Sequence, residues 1–447
     1  MTSIGGKHAA IVGAGIAGLT AAFRLEQAGW QTTIFESADH PGGRVETIAR
    51  DGFLLDTGAT AIAARYPIFT ALALELGCEI VPTAPYLGVV RDGRLRLLRL
   101  DRLVRSGLTT DLLSVRTKLR LARVVADIVI SKARGRLNYD DLRTAGPLDT
   151  ETARDYLRRL GGAEADEFLG EPITRALLLA NSDQVSRVEL MSGLINAVAG
   201  SLGTLAGGQA SVIDALVKRL GGELRLSTAV DKVELADPLP MSSAATAGVR
   251  VTAGGTTENF DAAVVACPPP QSAAICADPR LAALAEKLHF TRAINVSIGT
   301  TRAPQTPAFL VQFPRSEDNE IAMIIVESNK AKDRAPSGKG LFTISWELSA
   351  ADAWFDRSDE EIVARSLQTL TGLVGDLGVE LTYVRRWSPA LPHTKPGVYH
   401  AIGDFAAGID PRSPIQYAGD WLSQTGQNTA VAWGERAAAN LTNTVRR

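Results

Sequence analysis

Short apolar runs and one helical pattern alternate at the start of the chain. His8–Val12 is an apolar run with the length of a buried parallel strand. Residues 19–28 carry apolar side chains at helical spacing, and Gly29 follows as the kind of residue that ends a helix. Gln31–Phe35 is a second run of strand length. The pattern therefore predicts a strand, a helix and a second, parallel strand.

The pattern changes twice further along the chain. Residues 81–205 contain several amphipathic helical patterns, and residues 206–270 return to short runs that are typical of strands. Beyond them, residues 294–299, 321–326 and 341–348 alternate in polarity. We therefore expect a helical region, a return to the first sheet, and then a mixed antiparallel sheet.

The composition is that of an ordinary globular protein. Of 447 residues, 45% are hydrophobic and 21% are charged, so disorder and fibrous repeats are excluded. Lys plus Arg (47) nearly balances Asp plus Glu (49), which gives no general attraction to nucleic acid. Three cysteines without CxxC spacing exclude a disulfide scaffold and a cysteine zinc site. With no signal-peptide pattern and no apolar run of spanning length, we expect a cytoplasmic protein.

One segment, residues 94–136, departs from this balance with twelve basic and three acidic residues. Within it, residues 112–133 form the clearest helical pattern, where Arg116, Arg120 and Arg123 make a basic stripe. The second stripe of that helix is apolar and consists of Leu119, Ala122, Ala126 and Val129. The plainest interpretation is a solvated helix whose arginines balance acids elsewhere. Peripheral contact with an anionic membrane, or attraction of a carboxylate-bearing substrate, are the functional alternatives.

A glycine-rich turn joins the first predicted strand to the helix. It reads Gly-Ala-Gly-Ile-Ala-Gly over residues 13–18. Gly13 permits the tight turn, Gly15 lets the backbone approach a pyrophosphate, and Gly18 lets the helix pack closely on the strand. Glu36, at the end of the second strand, is placed to accept hydrogen bonds from a ribose. Strand, helix and acidic residue together predict a dinucleotide site, but they do not separate NAD from FAD.

Motifs at both ends of the chain make that distinction. Pro-Gly-Gly-Arg occupies residues 41–44, and Asp-Thr-Gly-Ala-Thr occupies residues 56–60. At the far end, a strand run closes on Gly-Asp at residues 419–420, and Gly-Gln-Asn at residues 426–428 leads into an alanine-rich helix. With these motifs the sequence resembles the flavoprotein family of amine oxidases, protoporphyrinogen oxidases and carotenoid desaturases.

The resemblance implies an α/β fold, in which a Rossmann-type FAD-binding domain is interleaved with an α+β substrate domain that carries a helical cap. We expect the FAD-binding domain to comprise residues 1–80, 206–270 and 400–447. The substrate domain would then comprise residues 81–205 and 271–399. A small-molecule substrate follows from this organisation, and the sequence indicates no oligomeric state.

The resemblance also implies the cofactor, FAD, and the residues that hold it. Arg44 would neutralise diphosphate charge with its guanidinium group, and the last helix would direct its N-terminus at the flavin. No cysteine follows Cys276, so the C-terminal cysteine linkage of monoamine oxidases has no residue to form it, and we expect noncovalent FAD. The expected FAD-binding residues are Gly13, Gly15, Ile16, Ala17, Gly18, Glu36, Gly42, Gly43, Arg44, Gly58, Ala59, Thr60, Val230, Gly419, Asp420, Gln427, Asn428 and Thr429.

Two departures from the amine oxidases bear on the reaction. Asn295 stands where those enzymes commonly carry a lysine, and Gly-Gln-Asn at 426–428 stands where they carry a tyrosine of the aromatic cage. The segment 386–397, which begins Arg-Trp and contains Ala-Leu-Pro, resembles protoporphyrinogen oxidases instead. We therefore expect hydride removal from a bulky, largely apolar substrate, with oxygen or a quinone as electron acceptor. An amine oxidase, an FAD-dependent isomerase or lyase, and a non-catalytic flavin-binding protein stay open as alternatives.

No catalytic triad or paired carboxylates are evident, and the five histidines show no metal-binding spacing, so no metal is expected. Tryptophans on strands belong to the core more often than they line a pocket, and a histidine such as His393 is more often a hydrogen-bonded structural residue than a functional one. The candidates for the substrate side are Thr60, Arg65, Asn295, Trp346, Trp387, His393 and Gln416.

Overall fold

A computed structural model describes most of the chain. The described residues are 6–63, 66–138, 142–198, 200, 202–236 and 248–443. Among them, no helix is both long enough and apolar enough to cross a bilayer. Two large sheets, with helices around them, organise the structure.

The first large sheet has five parallel strands from distant parts of the chain, in the order β10-β2-β1-β14-β20. Its strands are His8–Val12 (β1), Gln31–Phe35 (β2), Glu223–Arg225 (β10), Ala262–Val265 (β14) and Ile415–Tyr417 (β20). Ile11 of β1 lies opposite Ile34 on one side and Val264 on the other. The residues of β1 are mostly buried, as is typical of parallel sheets, and β1 contacts both the helix Ile16–Gln27 and the strand Thr256–Phe260. The predicted strand–helix–strand start is thus confirmed.

The second large sheet has seven strands in the order β19-β15-β18-β17-β16-β7-β8. Its strands are Tyr86–Arg91 (β7), Arg94–Arg99 (β8), Ala293–Thr300 (β15), Ala308–Gln312 (β16), Ile321–Val326 (β17), Gly340–Trp346 (β18) and Val379–Trp387 (β19). Only the β7–β16 pair is parallel among these neighbours. The three segments predicted from alternating polarity correspond to β15, β17 and β18, so the predicted mixed sheet is present.

Smaller sheets connect and flank the two large ones. Their strands are Thr47–Arg50 (β3), Phe53–Asp56 (β4), Ile62–Ala63 (β5), Ile80–Pro82 (β6), Leu202–Leu205 (β9), Val230–Leu235 (β11), Val249–Ala253 (β12) and Thr256–Phe260 (β13). The first half of the helices are Ile16–Gln27 (α1), Pro67–Glu75 (α2), Leu103–Thr109 (α3), Val115–Ala133 (α4), Ala153–Leu160 (α5), Ala163–Ala165 (α6), Glu171–Leu178 (α7) and Arg187–Val198 (α8). The others are Ser211–Arg219 (α9), Pro269–Ile275 (α10), Pro279–Ala285 (α11), Glu327–Lys330 (α12), Leu348–Trp354 (α13), Asp359–Val374 (α14), Val398–Ala407 (α15) and Gln427–Asn443 (α16).

The last helix, α16, packs along the first helix, α1. Gly434 permits this close approach, because a Cβ atom there would collide with the backbone carbonyl of Ala17. The two ends of the described chain are therefore joined beside the parallel sheet.

Helix α4 differs from its predicted form. It begins at Val115, not at residue 112, because the Ser114 hydroxyl accepts the Thr117 backbone N–H and caps the helix. Its buried residues are Thr117, Val124 and Ser131, while the predicted apolar stripe that contains Leu119 faces outward. Helix α4 therefore packs on the protein through Thr117, Val124 and Ser131, and not through the predicted apolar stripe.

The domain boundaries stay a prediction. Strands of the parallel sheet lie in all three segments that were assigned to the FAD-binding domain, and the seven-stranded sheet draws on residues 86–99 and 293–387. One proposed boundary, between residues 399 and 400, falls inside α15.

Candidate cofactor and substrate cavity

A cavity of about 860 Å³ lies at the carboxyl ends of the parallel strands. Val12, Glu36 and Ala266, at or just beyond the ends of β1, β2 and β14, form one side of it. Asn295 and Met323, from the seven-stranded sheet, form the other. Cofactors of open α/β folds bind at this edge of the sheet. The cavity therefore joins a dinucleotide site to the second sheet.

The glycine turn shapes the part that we call the cradle, formed by residues 12–17, 36 and 42–44. Gly13 has a positive φ of 102° and its N–H donates to the Phe35 carbonyl at 2.8 Å. A Cβ atom at Gly18 would collide with the Gly13 carbonyl, whereas a Cβ at Gly15 would meet nothing within 4 Å. Gly18 thus permits helix packing, and Gly15 leaves open space at the N-terminus of α1. Such a terminus favours phosphate oxygens, so the space and the charge suit the diphosphate of FAD.

Glu36 is fixed at the mouth of the cradle by backbone hydrogen bonds. Its Oε2 accepts the Ala14 N–H at 2.7 Å, and its Oε1 accepts the Ala38 N–H at 2.9 Å. The carboxylate is therefore oriented before any ligand binds, with lone pairs left for ribose hydroxyls.

Arg44 links the two ends of the chain across the cavity. Its guanidinium donates to both oxygens of Asp420, at 2.7 and 3.1 Å, and to the Ala390 carbonyl at 2.8 Å. This is the forked geometry in which arginine binds a carboxylate most strongly. The resemblance implied a phosphate partner for Arg44; in the structure its guanidinium is already held by Asp420, and a diphosphate contact stays a prediction.

Several buried polar atoms on the cavity wall have no hydrogen-bond partner in the described chain. Three of them belong to Gln427 (Oε1), Thr425 (Oγ1) and Trp421 (Nε1), and all three residues line the cavity. Buried polar groups are rarely left unpaired. FAD carries both donors and acceptors, so these atoms fit a bound flavin nucleotide.

Most of the predicted FAD-binding residues meet at this cavity. Those that line it are Gly13, Gly15, Ile16, Ala17, Glu36, Gly42, Gly43, Arg44, Gly58, Ala59, Thr60, Val230, Gly419, Asp420 and Gln427. Gly18 does not line the cavity; it allows α1 to pack closely against the Gly13 carbonyl.

Two predicted FAD-binding residues do not line the cavity. The Asn428 side chain accepts the backbone N–H groups of Ile68 and Phe69 at 3.0 and 3.1 Å, so it caps the start of α2. The Thr429 hydroxyl donates to the Gln424 carbonyl. Side chains early in a helix commonly serve the chain's own backbone in this way, and the motif did not distinguish that use from cofactor binding.

The other part of the cavity, which we call the chamber, is mainly aliphatic. Its apolar wall consists of Leu177, Leu179, Phe309, Leu310, Met323 and Ile325. Asn295 Nδ2 and Trp387 Nε1 both donate to the Thr57 carbonyl at 2.8 Å. That arrangement leaves Asn295 Oδ1 buried and without a hydrogen-bond partner in the described chain. Thr60, Asn295 and Trp387 therefore lie where a substrate could meet them.

Trp346 and His393 do not line the cavity, which corrects their assignment to the substrate side. Trp346 is 0% exposed, in the core of the seven-stranded sheet, and its Nε1 donates to Ser366 Oγ at 3.1 Å. His393 Nε2 lies 3.0 Å from the Gln184 carbonyl. Burial of its ring lowers the pKa of His393 to about 4, so the imidazole is neutral near pH 7.

Gln416, another substrate-side candidate, does not line the cavity either. Its amide donates to the Asp410 and Ser413 carbonyls at 2.9 and 2.8 Å, which holds the turn before β20. Arg65 lies outside the described residues.

Tyr66 and Glu189 are among the cavity residues that the sequence reasoning missed. Tyr66 is partly buried, and its hydroxyl would lie 2.6 Å from a Cβ at Gly426, so the phenol fills the space beside that glycine. Burial, together with Glu189 and Asp420, raises the pKa of Tyr66 to about 12. Glu189 is buried in the cavity wall, accepts the Tyr399 hydroxyl, and has a pKa raised by burial. Both come from segments without a motif, so no local signal identified them.

A buried ion cluster lies beside the cavity, which Lys330 lines. Lys330 Nζ, from α12, lies 2.8 Å from Asp56 of β4 and 2.5 Å from Glu327. Arg334 Nε lies 3.3 Å from the same Asp56 carboxylate. Burial alone would raise the pKa of Asp56, but the charges of Lys330 and Arg334 hold it below its usual range. Within the described chain, no cluster of side chains has the composition of a metal site.

The sequence as a whole matches known flavoproteins. A family model described as flavin containing amine oxidoreductase matches residues 16–442. The coproporphyrinogen III oxidase of Bacillus subtilis (strain 168) is 22% identical over 458 residues, with 93% of each chain covered. The enzyme of the same name from Mycobacterium tuberculosis is 25% identical over 463 residues, with 96% of each chain covered.

Solved structures show the same fold. Cyclohexylamine oxidase from Brevibacterium oxydans IH-35A matches with a TM-score of 0.78 and 19% identity, over 99% of this chain and 100% of that chain. A fatty acid isomerase from P. acnes matches with a TM-score of 0.72 and 16% identity, over 97% and 98% of the two chains. At these identities the similarity shows the fold alone, and the reaction has to be inferred from the residues of the cavity.

Proposed function

The chain belongs to the family of flavin-containing amine oxidoreductases, and we propose that this FAD-dependent oxidoreductase acts on a bulky, largely apolar substrate of the porphyrinogen type. Similarity to two coproporphyrinogen III oxidases over more than nine-tenths of the chain supports the substrate class. The single observation that carries the proposal is the mainly aliphatic chamber, which continues directly from the cradle.

The chamber suits a wide apolar ring better than a small amine. A cation or amine is held by the faces of aromatic rings, whereas this wall consists mostly of aliphatic side chains. Arg385 also lines the cavity, 4.2 Å from the Trp387 ring centroid and 2.8 Å from Glu46. It is a suitable contact for a substrate carboxylate.

Bound FAD would supply the hydride acceptor for this reaction. The chain's own residues would orient the substrate and exclude water. Leu179, Met323 and Ile325 keep the chamber apolar, and the unpaired Asn295 Oδ1 accepts a hydrogen bond from a pyrrole N–H. Hydride transfer needs close positioning and a dry site more than acid–base groups, which agrees with the residues present.

We also propose that FAD is held noncovalently and that oxygen or a quinone reoxidises it. Cys267 is the cysteine on the described cavity wall, and burial raises the pKa of its thiol to about 11. A thiol with that pKa is a poor nucleophile at neutral pH. Denaturation with acid should therefore release all the flavin into solution.

Anaerobic mixing tests the substrate class. Flavin-loaded protein is mixed with coproporphyrinogen III, protoporphyrinogen IX, putrescine or cyclohexylamine, and the absorbance of oxidised flavin is followed. We expect loss of that absorbance, with appearance of porphyrin fluorescence, only with a porphyrinogen. Retention of the absorbance with both porphyrinogens overturns the proposal.

One observation favours an amine oxidase as the second candidate. The Tyr66 phenol fills the space beside Gly426, at the position where the resemblance places a cage tyrosine. Peroxide and ammonia release from an amine would support this candidate. Turnover of a substrate without oxygen consumption or reduction of any acceptor would indicate an isomerase instead.

A further inference from the structure

Helix α4 presents an apolar face on the side opposite to the one that packs on the protein. At about 100° per residue, its outward apolar positions 115, 119, 126, 129 and 130 fall within an arc of about 100°. The buried residues Thr117, Val124 and Ser131 lie on the opposite side of the helix. Val115 and Leu119 are each 73% exposed. The apolar stripe therefore does not pack against the described chain.

The short helix α3 extends this apolar surface. Val104 and Leu108 are 64% and 66% exposed, and they are four residues apart on one helix face. Lys118 of α4 donates to the Leu108 carbonyl at 2.9 Å, so the end of α3 lies against the start of α4. We call the outward faces of these two helices the α3–α4 surface. Exposed apolar side chains that are grouped together and bordered by polar residues mark interaction sites on soluble proteins.

Basic side chains border the α3–α4 surface. Of the acids in residues 94–136, Asp101 and Asp111 are paired with Arg99 and Arg96 at 2.6 and 3.2 Å. Six exposed basic residues on α3 and α4, or directly next to these helices, form no ion pair within the described chain. They are Arg102, Arg105, Arg116, Arg123, Lys132 and Arg134. The surface therefore combines apolar residues at its centre with unpaired positive charge at its edges.

We propose that the α3–α4 surface docks on an anionic lipid bilayer. The apolar side chains of α4 enter the boundary between headgroups and acyl chains, and the bordering arginines contact the headgroups. A second copy of this chain is a poor partner, because it would bring two surfaces of the same positive charge together. A free carboxylate substrate would satisfy the arginines and leave Leu119 and Val129 in water. The proposal is independent of the substrate of the cavity.

Vesicle sedimentation with the flavin-loaded protein tests the proposal. We expect partitioning onto vesicles of phosphatidylcholine with phosphatidylglycerol, and little onto phosphatidylcholine alone. Arg116→Gln and Arg123→Gln should each weaken partitioning about fivefold. Raising the salt from about 0.1 M to about 1 M should weaken it further, since the Debye length falls from about 10 Å to about 3 Å.

The apolar part of the surface is tested separately. Leu119→Asp should lower partitioning at least about tenfold, because a charged side chain replaces one that enters the bilayer. Leu74→Asp, on α2, is the matched control: Leu74 is 60% exposed outside the surface, and its substitution should change nothing. Retained flavin content and thermal unfolding temperature show that each variant is folded.

Three outcomes overturn the proposal. Absence of binding to anionic vesicles at low salt makes α4 a solvated helix. Binding that depends on the arginines but is indifferent to Leu119→Asp limits the surface to electrostatic attraction without insertion. The third outcome is a dimer in solution that Leu119→Asp abolishes, together with no binding to vesicles. That result would assign the surface to a second copy of this chain.

Discussion

The cradle and the chamber occupy one cavity, but they are built in different ways. The cradle is shaped by backbone, where Gly13, Gly15 and Gly18 set a turn and the start of a helix, all within six consecutive residues. The chamber is shaped by side chains from α7, β15, β16 and β17, which are far apart in sequence. A site that is shaped by the backbone requires particular residues at short spacing and is therefore recognisable as a sequence motif. A site that is shaped by side chains from distant segments depends on tertiary packing. The cofactor is therefore evident from motifs, and the substrate is not.

The largest effect is expected in the buried ion cluster beside the cavity. Lys330→Met removes the cation between Asp56 and Glu327, which leaves buried carboxylates with less compensation. Loss of one partner from a buried ion pair costs about 3–5 kcal/mol. Urea unfolding of the flavin-loaded protein measures the loss. Lys339→Met, whose ammonium pairs with Glu380 at the surface, should cost no more than about 1 kcal/mol. Equal losses would show that the buried cluster contributes no more to stability than the exposed pair of Lys339 and Glu380.

The second prediction separates packing from cofactor binding within the cradle. Gly18→Ala places a methyl group against the Gly13 carbonyl and should lower the unfolding free energy of the flavin-free protein by about 1–3 kcal/mol. Gly15→Ala meets open space and should change that free energy by no more than about 0.5 kcal/mol.

Flavin titration then distinguishes the two glycine variants. Gly15→Ala should weaken FAD binding at least about tenfold, because its methyl group occupies the space left for the diphosphate. Unchanged affinity in Gly15→Ala would show that the diphosphate does not approach this turn.

A third prediction concerns the chamber alone. Asn295→Leu removes the acceptor Oδ1 and the donor to Thr57, so kcat/KM should fall about 10-fold to 30-fold, as expected for one or two lost hydrogen bonds. Bound flavin per protein should not change, because the cradle is intact. Loss of flavin together with activity would contradict the separation of the two parts.

The smallest effect is expected outside both parts, at His393. Its folded pKa of about 4 lies below that of an unfolded histidine, so stability should fall as pH drops below about 6.5, while the unfolded chain takes up a proton that the folded chain excludes. After allowance for partial exposure, the change between pH 7 and pH 5 should be about 1 kcal/mol. His393→Gln should remove that component and leave kcat/KM at pH 7 unchanged. An altered kcat/KM would return His393 to the substrate side.

The sequence predictions succeeded where a residue type has few alternative uses. Gly13 has a positive φ and Gly18 lies against the Gly13 carbonyl, so glycine has little alternative at either position. The family and the α/β fold that these motifs indicated are confirmed by the match over residues 16–442. The glycine turn and the motifs around it each lie within a short stretch of sequence, so a short sequence pattern was enough to identify them.

The remaining assignments depended on packing that no single segment encodes. Trp346 was a candidate because it is aromatic, and packing placed it in the core of the sheet. Tyr66 and Glu189 reach the cavity from segments without a motif. The outward apolar face of α4 has the same helical periodicity as a buried one, since periodicity does not indicate what covers a face.

The pairing of α16 with α1 has a consequence for biosynthesis. Strand β20 and helix α16 are the last described elements that the ribosome produces, yet they complete the sheet and the wall around a site that begins at residue 12. Such non-local contacts form late. A nascent chain that stops short of Gly419 lacks the part of the cavity wall that Gly419, Asp420 and Gln427 form, so FAD should be captured only after this segment has been synthesised, and a cell short of riboflavin should accumulate empty protein.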